Sequence, residues 1–174
     1  ASSNIPGEEN YWTNGVGRLT GDQTSRILVT HAAIDHDFIP QYGIDVIAGR
    51  NFDKQFTSDP DNIVINEALC EALQFKDPTM AVGEKLVTGR DTMEIVGVVA
   101  DFHQMSLKAK VIPLVFRLFP VASFYSVKLE TDSYKSVIQS IAQPWNSFFP
   151  GNPMDYFFLD QFYTRQHNEV LPGE

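Results

Sequence analysis

Short apolar runs broken by turn-forming residues recur through most of the chain, and their length and β-branched content predict strands. Arg26 to Ala33 is one such run, and Ile44 to Gly49 alternates loosely as a second. Asn62 to Ile65 predicts a third, running straight into a helix over Glu67 to Leu73, where Ala68, Leu69 and Leu73 recur at helical spacing. Val82 to Val87 and Thr92 to Val99 predict two strands joined by the turn Thr88-Gly89-Arg90-Asp91. Val111 to Leu118 and Phe124 to Glu130 supply two more, and Met154 to Leu159 a last one.

Helical spacing is clearest after Thr131-Asp132. Tyr134, Val137, Ile138, Ile141, Trp145 and Phe148 fall on one face, with Asp132 as the expected N-cap and Pro144 expected to kink or divide the helix. Phe38 to Gly43 predicts a single helical turn stopped by Gly43, and Asp160 is placed to cap a terminal helix from Gln161 to Val170. The first 25 residues, rich in glycine and polar side chains, read as an irregular loop. From Phe124 onward the order strand, helix, strand, helix predicts a βαβ-like unit, while the middle of the chain is richer in short strands. The fold class expected is α+β, a porter-like βαβ lobe with an inserted smaller strand-rich lobe.

With 174 residues and 43% hydrophobic content the chain buries a core without disulfide staples or a structural metal. A net charge of −9, from 22 acidic against 13 basic residues, argues against a nucleic-acid partner and against docking on anionic lipid. Partners are therefore expected to be protein or small molecules. Cys70 stands alone and suits a buried apolar role on the helix that follows the Asn62 strand. No apolar run reaches the ~18–20 residues of a membrane span. Both ends, Ala1-Ser2-Ser3-Asn4 and Leu171-Pro172-Gly173-Glu174, read as cuts through a longer protein, so targeting or spanning segments are expected outside them.

Candidate chemistry is sparse. His31, Asp35, His36 and Asp37 offer imidazole and carboxylate to a metal, but Asp35 and Asp37 precede the helical turn at Phe38, where carboxylates cap free N–H groups. Asp101 and His103 lie on one side of an extended segment and could orient a general base, yet no nucleophile context accompanies them, so a hydrogen-bonded turn at the strand exit is favoured. Asn14-Gly15-Val16-Gly17 follows no expected strand and is read as loop; no phosphate-cradling motif is present. His167 reads as a solvated helix residue. The aromatic series Trp145, Phe148, Phe149, Tyr156, Phe157 and Phe158 could line a ligand groove, though its spacing is read as core. No catalytic, cofactor or metal site residue is assigned.

Several stretches in order resemble the MacB-like periplasmic core domain, the extracytoplasmic domain of FtsX/MacB-type ABC-transporter permeases in a form common in Bacteroidetes-like bacteria. They are Asp37 to Ile44, Ala48 to Phe52, Ile63 to Ala68, Ala81 to Lys85, Ile95 to His103, then Trp145 with Phe148 to Gly151, and Asp155 to Asp160, together spanning about residues 30–165. The resemblance implies a two-lobed periplasmic domain, with residues 1–35 and 111–174 as the porter-like lobe and residues 36–110 as the inserted lobe. It also implies that a strand and helix of the porter-like lobe lie upstream of Ala1.

A non-enzymatic role follows from the resemblance: transmitting ATP-driven motion at the periplasmic face of a bacterial inner membrane, without a cofactor. The implied partners are the rest of the permease and its cytoplasmic ATPase subunit, with a periplasmic adaptor, lipoprotein or peptide substrate as further candidates. The transporter would be dimeric and the isolated domain monomeric. Two other classes compete: a free-standing periplasmic solute- or peptide-binding module, and a metal-dependent hydrolase built on His31, His36 and Asp101 with His103.

Overall fold

A computed structural model describes residues 1–8, 12–19, 26–102, 110–119, 123–130 and 133–169, with side chains through residue 164. Two compact units appear, residues 1–126 and residues 127–174.

The first unit holds seven strands in one mixed sheet: β1 (Trp12–Arg18), β2 (Ile27–Ile34), β3 (Val46–Gly49), β4 (Asn62–Asn66), β5 (Lys85–Thr88), β6 (Asp91–Val99) and β7 (Leu114–Leu118). Their lateral order is β3-β6-β4-β7-β2-β1-β5, and β5 also pairs with β6. The pairings thus close a ring of six strands, with β3 added beside β6. Pairs β2–β7 and β4–β6 are parallel; β4–β7, β1–β2, β1–β5, β5–β6 and β3–β6 are antiparallel. The nine-residue β6 serves β5 with its first half and β3 with its second, along one edge, and β4 along the other.

Closure divides the apolar side chains into two clusters. Val16, Val29, Ile63, Ile65, Leu86, Met93, Ile95 and Val115 come from all six ring strands and fill the interior, where Leu69 and Cys70 of α2 (Glu67–Ala72) join them. The opposite face of β2, β4, β6 and β7 presents Ala32, Ile34, Val64, Val99, Leu114 and Phe116, covered by Phe38 and Ile39 of α1 (Phe38–Gln41) together with Ile44 and Phe52. The alternation is interrupted at Val96, where Ile63 faces Ile95 but Val64 faces Gly97. Such a bulge sharpens local twist and helps a sheet close.

The second unit carries α3 (Tyr134–Phe148) and α4 (Leu159–Glu169). Pro144 lies within α3, which runs on unbroken rather than dividing.

The α+β class holds, as do the strands and helices expected between residues 26 and 118. Four local expectations fail. Residues 12–18 form β1 rather than loop, because β2 and β5 supply hydrogen-bond partners on both edges of a stretch with weak intrinsic preference. Phe124 to Glu130 makes only an isolated bridge, Ser2 to Phe124, and Met154 to Phe158 is not in a strand. The last helix begins at Leu159, so Asp160 sits in its first turn instead of capping it. Asp132 lies outside the described residues.

Candidate functional site

The residues singled out for metal or acid–base chemistry are scattered. His31 is buried within β2 at 1% exposure. Asp35 accepts a hydrogen bond from the Asp37 amide at 3.1 Å, so it shapes the entry to α1; Asp37 occupies the N-cap position without a side-chain bond. Among the described residues no three His, Cys, Asp or Glu side chains converge as a metal would require. His103 and the side chain of His167 lie outside the described residues. Gly15 and Gly17 sit in β1, in a strand. Cys70 is buried; burial, then nearby carboxylates led by Glu67, push its thiol up to about 12, so it stays protonated and unreactive.

Asp101 belongs to a polar joint instead. Its Oδ1 accepts from Asn66 Nδ2 at 2.8 Å and from the Ala68 amide at 3.0 Å, while its own amide donates to Glu67 Oε2 at 3.0 Å. Asn66 is fully buried. Its Oδ1 accepts from the Leu69 amide at 3.2 Å and the Leu114 amide at 2.8 Å, and its Nδ2 also donates to Ile112 O at 3.0 Å. One side chain thus caps α2, starts β7 and holds the exit of β6.

A second joint was not anticipated. Arg50 donates to both carboxylate oxygens of Asp59, at 2.8 and 2.6 Å, and its guanidinium lies 3.9 Å from the centre of the Phe56 ring. Asp59 is fully buried and also accepts from the Asp53 amide at 2.8 Å and from Asn62 Nδ2 at 3.3 Å. Burial alone would raise its pKa; the bonds from Arg50, Asp53 and Asn62 outweigh that and hold the carboxyl below its usual range. Beside this clamp the backbones of β3 and β6 nearly touch. A Cβ on Gly97 would stand 2.0 Å from Arg50 O, and one on Gly49, whose φ is +67°, 2.3 Å from Val96 O. Only glycine fits both places.

Of the aromatic series read as core, Trp145 and Phe158 are half-buried and the other four are exposed. Phe148 is 78% exposed, Tyr156 58%, and Phe149 and Phe157 nearly half. No residue of α3 is buried, although Tyr134, Val137, Ile138, Ile141, Trp145 and Phe148 form one apolar face. Contacts within this unit tie the helix ends: Tyr134 meets Phe158 edge-on at 5.1 Å, and Trp145 Nε1 donates to Asn152 O at 2.9 Å. The site therefore consists of braced joints in the first unit and, in the second, a helix none of whose residues is buried; among the described residues no metal-holding group of His, Cys, Asp or Glu is assembled.

Residues 7–143 match the family described as the MacB-like periplasmic core domain. The chain belongs to that family. It is a periplasmic domain of a MacB-like ABC-transporter permease, a family that is not a known enzyme class. Similar solved structures share the fold at low identity. The periplasmic region of MacB from Actinobacillus actinomycetemcomitans aligns with TM-score 0.61 and 13% identity, covering 93% of this chain and 74% of that one. The extracellular domain of the noncanonic ABC-type transporter YknZ from Gram-positive bacteria aligns with TM-score 0.56 and 19% identity, covering 79% and 72%. Comparison with curated protein sequences returned no match. No helix among the described residues is long and apolar enough to cross a membrane.

Proposed function

We propose that this domain transmits ATP-driven conformational change, generated by a cytoplasmic ATPase subunit, to substrate or partner proteins in the periplasm. The observation that carries the reading is a permease-family domain with a closed, doubly braced sheet and a helix, α3, none of whose residues is buried. A part that relays motion must move as a body, and the Arg50–Asp59 and Asn66–Asp101 joints resist internal shear where β3, β4, β6 and β7 meet. A part that hands motion to another protein needs a surface to grip, and α3 supplies aromatic and aliphatic side chains suited to that.

Anchoring at the inner membrane through the rest of the permease, a dimeric transporter, and an adaptor, lipoprotein or peptide as the periplasmic contact all belong to this proposal. So does the division into a porter-like lobe, residues 1–35 and 111–174, and an inserted lobe, residues 36–110. The family match favours it over a free-standing binding module.

The test is the double substitution Ile141→Asp and Phe148→Asp in the full transporter. Both side chains are exposed, at 39% and 78%, so folding should change by no more than about 0.5 kcal/mol. The transport phenotype should fall at least about tenfold while ATP hydrolysis persists, one decade corresponding to about 1.4 kcal/mol of lost contact. Unchanged transport would contradict the role given to this face.

A further inference from the structure

His31 is 1% exposed, yet neither Nδ1 nor Nε2 has a hydrogen-bond partner among the described residues. A buried imidazole without partners is costly and calls for a reason. Its surroundings are defined by register. On β1, Trp12 is its direct antiparallel partner, with ring centroids 4.5 Å apart; on β7, Val115 is its parallel partner. Arg117 follows two residues on, on the same face, and reaches Asp91 at the start of β6 at 3.4 Å. The facing groups are thus an uncharged indole from β1 and a guanidinium from β7, the latter partly balanced by the β6 carboxylate. Among the described residues no carboxylate accepts from His31.

An imidazolium in this position would present two N–H donors to no acceptor, beside a cation. It becomes tolerable only when water reaches the ring. Trp12 covers His31 and is itself 55% exposed, so it is the neighbour least held by packing. It is also the first residue of β1, the strand that joins β2 to β5 and closes the ring.

We propose that Trp12 and His31 form an acid-responsive latch, in which proton uptake by His31 is coupled to displacement of Trp12 and loosening of the β1 closure. The idea stands apart from the transport reading. At neutral pH the latch is shut: burial, and secondarily Arg117, lower the His31 pKa from 6.5 to about 4. It opens when the surrounding medium acidifies toward that value, a use of histidine suited to a domain outside the cytoplasm.

The chain has two tryptophans, so Trp145→Phe leaves Trp12 as the reporter. Its fluorescence is followed from about pH 7.5 to about pH 3.5 together with far-UV circular dichroism, across the range where histidine titrates. The expected result is a Trp12 emission change with its midpoint well below 6.5 and the strand signal retained. The change should vanish in His31→Phe and shift to higher pH in Arg117→Gln. A flat profile, the same transition in His31→Phe, or a change that coincides with global unfolding overturns the latch. Should Trp145→Phe fail to fold, NMR of the unsubstituted chain decides: the His31 ring and Trp12 indole resonances should titrate together, and independent titration overturns the coupling.

Discussion

Gly97→Ala places a methyl group where the chain has no room for one. The new Cβ would stand 2.0 Å from Arg50 O, and also 3.0 Å from Arg50 C and 3.2 Å from Arg50 N. All three are backbone atoms, so no side chain can swing away; the β3 and β6 backbones must separate by about 1.4 Å to restore ordinary contact. That separation strains the 2.9 Å bond from the Arg50 amide to Val96 O and pulls on the Arg50–Asp59 clamp. Overpacking of this kind costs about 1–3 kcal/mol, and weakening one buried backbone bond about another 1 kcal/mol. We expect a total near 3 kcal/mol. Urea unfolding should show it as a midpoint lower by about 1.5 M, taking a slope of about 2 kcal/mol/M. Gly83→Ala is the control, because Gly83 has a φ of +86° but nothing within 4 Å of its would-be Cβ. It should cost only about 1 kcal/mol of backbone strain. If the two variants lose the same stability, or if Gly97→Ala loses less than about 1 kcal/mol, the close crossing of β3 and β6 is not a constraint.

Asp59→Ala should cost about 3–5 kcal/mol by thermal or urea unfolding, since it strands the Arg50 guanidinium and frees the Asp53 amide and the Asn62 side chain. Because the Asp59 pKa is depressed on folding, its contribution is complete above the unfolded value of 3.8 and fades as pH falls through the lower folded value; the variant should lack that acid-side loss. His31 acts in the same direction but in a higher pH window. Its folded value of about 4 lies below 6.5, so the unfolded chain takes the proton first and stability declines as pH falls from 6.5 toward 4, by at most about 3 kcal/mol. In His31→Phe that part of the decline should be missing from a pH series of unfolding midpoints. Asn66→Ala removes four hydrogen bonds at once and should lower stability by about 3 kcal/mol, with faster amide exchange at Leu69 and Leu114.

The strands from Ile27 to Leu118 were legible because each is a compact apolar run whose faces become buried, so local pattern and tertiary environment agree. β1 was hidden: Thr13, Asn14, Gly15 and Gly17 carry little strand preference, and only the edges of β2 and β5 make the segment extended. The opposite error came at Phe124 to Glu130 and Met154 to Leu159. Aromatic and β-branched residues suggested strands there, but Tyr125, Val127, Tyr156 and Phe157 lie exposed without a sheet to join.

Asp101 was read as fixing the strand exit, and its bonds to Asn66 and Ala68 do so. Asn66, the centre of that joint, was legible only as the residue before a helix, since its other bonds reach residues 112 and 114. Nothing local couples Arg50 to Asp59; Asp59-Pro60-Asp61 reads as an ordinary turn, and the pairing exists only because β3 and β4 both lie against β6. The burial of His31 has the same origin, since Trp12 reaches it only through the unforeseen β1.

The central claim, that the domain relays ATP-driven motion, is tested most directly by distance measurement in the assembled transporter. Gln143→Cys gives an exposed label site on α3, off its apolar face, while Cys70 is buried with its thiol pushed up to about 12 and should label poorly. Pulsed electron–electron double resonance between the two Gln143→Cys labels of a dimer would be recorded without nucleotide and with ATP trapped. The account predicts a distance distribution displaced by several ångströms on trapping; identical distributions in both states would contradict it.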